Sequence, residues 1–396
     1  MNDRRTEMTG SKPWTCLAGG AALCASLACG SDDEASSLGA DAAPVIENYA
    51  TIVYESYSDA SSEAEELSTA LAAFVAAPSA ATLTTARTAW LAARDPYGQT
   101  EVYRFYDGPI DNPEDGPEGQ LNAWPLDELY IDYVVSDATS GIINLTTQFP
   151  TLSKELLAEQ NEQGGEKNIA TGYHSVEFLL WGQDLSTTGP GNRPFSDYVS
   201  GASGTAANQA RRGEYLGLTA ELLVDDLGIV RDAWDPADPT NYRADFEALD
   251  PREAVRRILQ GMGSLAGAEL AGERMTVAVD NRDQEDEHSC FSDNTHKDLY
   301  ANALAIQNVY LGRYAGTDGP GLDVLVQSRD AALDTKFKGQ LEASIAAVQD
   351  IPVPFDQALL SDAGRDLIME AVRALQAETD TIVEIATLLG ITINLE

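Results

Sequence analysis

The chain contains three histidines in 396 residues, and all three fall in two short tracts. The first tract reads Gly172-Tyr173-His174-Ser175-Val176-Glu177. His174 and Glu177 stand three residues apart, so on a helix they lie on one face, one turn from each other. An imidazole and a carboxylate at that spacing share a metal ion or exchange a proton. A histidine hydrogen-bonded to a carboxylate inside a helical core explains the pair as well, so the spacing alone decides nothing. The second tract, residues 280–298, holds His288 and His296 with Cys290 between them, among Glu285, Asp286, Glu287 and Asp293. Few of these groups tolerate burial without partners. Ser292, Asp293, Asn294 and Thr295 are helix-capping residue types, which puts His296 in the first turn of the helix that follows. A capped helix behind a solvated acidic loop is the competing reading. The confinement of every histidine to these two tracts favours one shared site, lined also by Glu285, Ser289, Ser292, Asp293 and His296.

His and carboxylate ligands suit a transition metal, iron at least as well as zinc. A catalytic zinc needs about three protein ligands, an open position and a separate general base. His174 and Glu177 supply two, and Glu101, Asp127, Glu128 and His288 are the candidates for more. Binding of a divalent or trivalent metal ion, or of a ligand that carries one, is therefore favoured over hydrolysis. A metal-dependent peptidase using His174 and Glu177 is the alternative, and a non-metal binding module built on Trp90, Trp124 and Trp181 is a third reading. No H-E-x-x-H zinc helix, P-loop, dinucleotide fingerprint or G-x-S-x-G elbow is present. The acidic neighbours of Cys290 disfavour a reactive thiolate.

The elements that must position these residues read as helices almost throughout. Val45 to Val75 carries apolar residues at helical spacing, and Pro78 ends it. The next helix begins near Thr82 and aligns Trp90, Arg94, Tyr97, Glu101 and Arg104 along one face, with Pro96 inside the run. A turn-rich loop fills 107–120. Glu166 to Trp181 reads as a helix with Ile169, Tyr173, Val176 and Leu180 buried and His174 and Glu177 at the edge of that stripe. Asp250-Pro251 marks a helix start. Further helices cover 210–234, 294–314, 321–337, 339–348 and 362–389, and period-two strand runs are scarce. The expectation is an all-α chain of two antiparallel helical bundles, 44–210 and 211–396, each a four-helix-bundle-like unit related to the other by duplication.

Residues 1–28 read as an export signal, with Arg4, Arg5 and Lys12 before an apolar run from Trp14 to Ala28. The run is too short to span a bilayer stably. Ala28-Cys29-Gly30-Ser31 resembles a bacterial lipoprotein processing site with Cys29 lipidated, although Ser26 stands where leucine is usual. Residues 30–43 then read as a flexible tether. This places the protein in the bacterial cell envelope, as an outer-membrane lipoprotein facing the periplasm or the cell surface, touching the membrane only through its lipid. Simple secretion is the alternative. A formal charge of −39 repels nucleic acid and concentrates cations at the surface.

Several stretches together resemble the imelysin-like family. Its G-x-H-x-x-E motif stands here as Gly172, His174 and Glu177. The likeness continues through Trp90 to Asp111, with Arg94, Glu101 and Arg104, and through Trp124-Pro125-Leu126-Asp127-Glu128. It is most specific in the run from Gln284 to His296, and it spans about residues 45–393. The resemblance implies two helical bundles with the motif near their junction, an envelope location, and either metal-dependent peptidase activity or a binding role in iron uptake with other envelope proteins as partners.

Overall fold

A computed structural model describes residues 31–186 and 188–395; Cys29 and the expected export signal lie outside them. Eight longer helices carry the architecture. Helix α1 runs Ser31–Ala76, and Ser79 starts α2, Ala80–Thr100, through a reciprocal capping box with Thr82. After a winding stretch of short helices come α3, Gly172–Trp181, and α4, Gln209–Ala233. Asp250 caps α5, Pro251–Ser264, with proline in its first turn as the sequence predicts. That helix continues as a π-helical stretch, Leu265–Thr276. Helix α6 spans Thr295–Leu311, α7 Ala331–Gln349 and α8 Asp362–Leu388. Among the described residues, the strand content is one two-residue pair, Arg313–Tyr314 with Thr317–Asp318. The chain is all-α, as the helical periodicity predicts.

Helices α1, α2, α3 and α4 pack on one another; α5 with its π-helical stretch, α6, α7 and α8 form a second group. Contacts of α1 with α5 and of α2 with α6 join the two, so one continuous apolar core runs through both. The α2–α6 approach is close: a Cβ on Gly98 would lie 2.9 Å from the Cβ of Ala301. Glycine permits this contact, and it brings the Trp90–Glu101 face of α2 against the start of α6.

The structure departs from the sequence expectation at several elements. The 30–43 tether is helical from Ser31, and Leu38 and Ala42 are buried in the core. The boundary drawn at 210 falls where α4 begins, yet α4 packs on α1 and α3 and so belongs with the first group. The helix expected from Glu166 starts only at Gly172. The stretches 321–337 and 339–348 are instead a short helix, Leu322–Gln327, followed by an unbroken α7 that passes through Gly339.

Every residue of α3 is buried, including His174 and Glu177, which were expected at the edge of its stripe. A ten-residue helix is marginal in water on its own, so α3 is held by what surrounds it. Each fully buried large apolar side chain contributes about 1.5–3 kcal/mol, and Tyr173, Val176, Phe178, Leu179 and Leu180 are all inaccessible.

Candidate functional site

Gly172 sets where α3 begins. Its φ is +84°, and a Cβ there would lie 2.6 Å from the Leu121 carbonyl oxygen and 2.7 Å from that of Gln120. Only glycine combines that backbone angle with that approach. The helix therefore starts against residues 120–121, next to Trp124, whose ring packs on the His174 imidazole with centroids 4.8 Å apart. The indole nitrogen of Trp90, on α2, donates to the Tyr173 carbonyl at 2.9 Å and ties α2 to the same turn.

Nδ1 of His174 lies 3.0 Å from Oε2 of Glu177. The other carboxylate oxygen accepts from the Ser292 backbone N–H at 2.9 Å and from its hydroxyl at 2.7 Å. The Nε2 of His174 is buried with no hydrogen-bond partner. On the far side stands His288, its ring 4.7 Å from that of His174 and nearly perpendicular to it. His288 turns its Nδ1 to Asp298, at 3.0 Å, and Asp298 also accepts from Ser289 at 2.5 Å and from Arg94 Nε at 3.3 Å. The two histidine tracts, more than a hundred residues apart, thus form one buried cluster.

A polar chain extends from this cluster. Arg94 donates to Asn122 at 2.6 Å, Asn122 to Glu101 at 2.7 Å, and Glu101 pairs with Arg274 from the π-helical stretch. Asn302 of α6 donates to Glu101 at 2.6 Å and to the Gly98 carbonyl at 2.8 Å. Arg104 pairs with Glu118 at 3.0 Å. Arg104, Glu118, Asn122, Trp124, Arg274 and His288 line a cavity of about 440 Å³ that also meets Lys167, Glu162, Glu269, Glu273 and Asp286. His174 lies behind Trp124 and His288, outside the cavity wall.

Burial sets the charge states, and arginine contact modifies them. Burial pushes the Glu177 carboxyl up to about 8. Burial also pushes His174 well below its ordinary value, helped by His288 and Arg94. His288 is lowered by burial and by Arg274. Glu101 is equally buried, yet Arg274 outweighs that penalty and holds it at about 2. Asp298 is likewise kept ionised, against its burial, by Arg94 and His288. Both imidazoles are neutral near pH 7, the form that ligates metal.

These placements sort the expected site residues. His174, Glu177, His288, Ser292, Ser289 and Arg94 meet, and Glu101 and Arg104 stand one link further out. Glu101 is committed to Arg274, Asn122 and Asn302, so it is not free to bind a metal. Asp127 caps a short helix by accepting from the Leu129 N–H, and Glu128 accepts from Gln183 at 2.6 Å. His296 turns its Nδ1 to the Asp293 carbonyl at 3.2 Å and lines a separate cavity of about 910 Å³ with Asp59, Glu63 and Lys297. Asp293 lines that same cavity, and Glu285 lines another with Asp184 and Asp356. Asp298, Arg274, Asn122 and Asn302 belong to the network and were not singled out from the sequence. Thr295-x-x-Asp298 is a capping-box pattern that was open to reading; Arg274 and the two asparagines carry no such signal.

The imelysin family model matches residues 53–382. The chain belongs to the imelysin family. The protein named iron-regulated protein A from Synechococcus elongatus is 25% identical over 339 residues, covering 84% of this chain and 82% of that one. Two solved structures share the fold. An iron-regulated protein A precursor from Parabacteroides distasonis superposes with a TM-score of 0.69 at 20% identity, over 89% of this chain and 95% of its own. An imelysin-like protein from Psychrobacter arcticum gives 0.64 at 16% identity, over 90% and 98%. Among the described residues no helix is long and apolar enough to cross a membrane.

The family's motif raises a metal at His174 and Glu177, and the donor set tests it. Both Glu177 oxygens are engaged, and no three ligating side chains gather around His174 among the described residues. Glu177 does not fit as a direct ligand. The imidazoles do fit. Each has its Nδ1 held by a carboxyl group: ionised Asp298 orients His288 in the way proteins orient a histidine whose Nε2 takes a metal, and Glu177 does so for His174 once it has lost its proton.

Proposed function

We propose that this imelysin-family protein is a cell-envelope binding protein for iron, taken as an ion or as a small iron-bearing complex, with His288 and His174 as the protein's ligands. The observation that carries this reading is the pair of neutral, carboxyl-held imidazoles beside a cavity whose acidic groups outnumber its basic ones. The acidic lining favours entry of a cation. Two nitrogens fill only part of a metal's coordination sphere, so water or an accompanying chelator supplies the rest. A bound metal would supply Lewis-acid attraction for the oxygen atoms of that companion, while Arg104, Arg274 and Lys167 offer donors to it at the cavity wall. The names of the relatives support iron over other metals. The export signal and Cys29 support an envelope location, with the lipid as the only membrane contact.

Peptidase activity finds less support in the geometry. A hydrolytic centre needs a carboxylate free to take a proton from water. Glu177 is inaccessible, carries its own proton near pH 7, and is bonded on both oxygens. Calorimetry of the full chain against ferrous, zinc and ferric-citrate titrants tests the proposal. At least tenfold weaker iron binding is expected in His288→Ala and in His174→Ala, and unchanged affinity in both would overturn it. Casein incubated with the full chain should stay intact; cleavage that vanishes with chelator and in Glu177→Ala would establish the peptidase instead.

A further inference from the structure

A second group of carboxylates lies outside the imidazole cluster. Glu287, Asp293 and Asp356 place ligand oxygens within 4.8 Å of one another. Glu287 is fully buried, and neither carboxylate oxygen has a partner in good hydrogen-bond geometry, although the Thr295 hydroxyl stands close enough to stabilise its charge. Asp356 is 3% exposed with Oδ1 unpartnered, and Oδ1 of Asp293 is unpartnered as well. Asp184, 2% exposed, also has a free buried oxygen and acts on Asp293 and Asp356 as a further negative charge. No lysine or arginine forms an ion pair with any of these four among the described residues. A buried carboxylate with no partner costs several kcal/mol and takes up a proton or a cation instead. Burial pushes Glu287 well above its ordinary value and Asp293 up to about 7, so without a cation the group holds protons that a cation at this point would displace.

We infer that Glu287, Asp293 and Asp356, with Asp184 beside them, form a binding site for a hard divalent cation of the calcium type, separate from the imidazole site. The donors are all oxygen, which selects hard cations over zinc. Two ligands about 2.4 Å from a shared calcium ion lie at most about 4.8 Å apart, and the observed spread fits that sphere. Asp356 sits in the short helix Phe355–Leu360 of the second helix group, whereas Glu287 and Asp293 belong to the 282–294 loop. A cation there ties the loop to the second group. His288 follows Glu287 directly, and Ser292 precedes Asp293, so the same ion fixes the loop that presents both to α3.

Calcium calorimetry and terbium luminescence on the full chain, with thermal unfolding in calcium and in chelator, test the assignment. One calcium ion per chain is expected, with a midpoint that rises in calcium and falls in chelator. Glu287→Gln and Asp356→Asn should each weaken binding at least tenfold. In chelator these variants should unfold no earlier than the wild type, because each puts a neutral amide of the same shape where a buried carboxyl is crowded by other acids; that comparison separates lost binding from lost folding. Absence of calcium binding, equal binding in Asp356→Asn, or a response to zinc with none to calcium would overturn the inference. None of these readouts depends on iron binding at His174 and His288.

Discussion

Replacing Gly172 by alanine tests whether the motif's glycine is there for backbone reasons. At φ +84° an L-residue pays the left-handed penalty, about 1–2 kcal/mol. Its Cβ would also meet the carbonyl oxygens of Leu121 and Gln120 at 2.6 and 2.7 Å. Those neighbours are backbone and cannot rotate aside, so one segment must shift, at the cost of overpacking, about 1–3 kcal/mol. The two effects act together, and Gly172→Ala should lose about 2–5 kcal/mol. Gly339 supplies the control. It is exposed in the middle of α7, has ordinary φ, and a Cβ there meets nothing within 4 Å. Gly339→Ala should gain about 0.5–1 kcal/mol through helix propensity. Urea unfolding of both variants, read by midpoint and slope, measures the difference. A loss under about 1 kcal/mol for Gly172→Ala, with the expected gain at Gly339, would refute the steric account and leave the glycine unexplained.

The Glu177 carboxyl gives a pH signature. Its folded pKa, about 8, lies above the unfolded value, so its stabilising contribution is fully present below about pH 4.5 and is lost as pH rises through 8. Thermal midpoints of the wild type should fall between pH 5 and 9 more steeply than those of Glu177→Gln; parallel profiles would contradict the assignment. His174 acts oppositely, with stability lost as pH falls below about 6.5. Arg274→Met should cost about 3–5 kcal/mol by stranding the Glu101 carboxylate, and adding Glu101→Gln should recover part of that loss in denaturant unfolding.

Helix content was legible in the sequence because apolar residues recur at helical spacing along long stretches, and because Pro78 and Asp250-Pro251 mark ends. The histidine clustering also pointed to the right neighbours: Ser292 reaches Glu177, and His288 meets His174. What the sequence hid is how buried charge is paired. Glu101 reads as a free carboxylate and a candidate ligand, yet Arg274, 173 residues away, neutralises it. Nothing in the local pattern around Arg274 shows that partnership. Nor does periodicity reveal that α3 is enclosed on every side, since a helix buried all round differs from an amphipathic one only in what other segments place against it. The 30–43 segment misled for the related reason that small residues suit a tether and a tightly packed helix alike.

The two imidazoles look equivalent in outline, each with a carboxyl group at Nδ1, but charge separates them. Asp298 is ionised because Arg94 and His288 stabilise its negative form. In the shorter contact, at 3.0 Å, it accepts, which favours the His288 tautomer with its proton on Nδ1 and the lone pair on Nε2 over the one that the Arg94 Nη2 contact to Nδ1, at 3.4 Å, would select. Glu177 has no arginine in ion-pair contact, and burial keeps its proton on near pH 7. Ser292 already donates twice to its Oε1, so the acid proton is left on Oε2, facing His174 Nδ1. That arrangement puts the His174 proton on Nε2, where it blocks a ligand. His174 becomes a ligand only after a proton leaves the His174–Glu177 pair, whereas His288 is ready as it stands at the cavity wall. On the proposed iron-binding reading, Glu177 would then set when His174 can bind, and the three-residue spacing that first suggested two metal ligands would describe one ligand and the acid beside it.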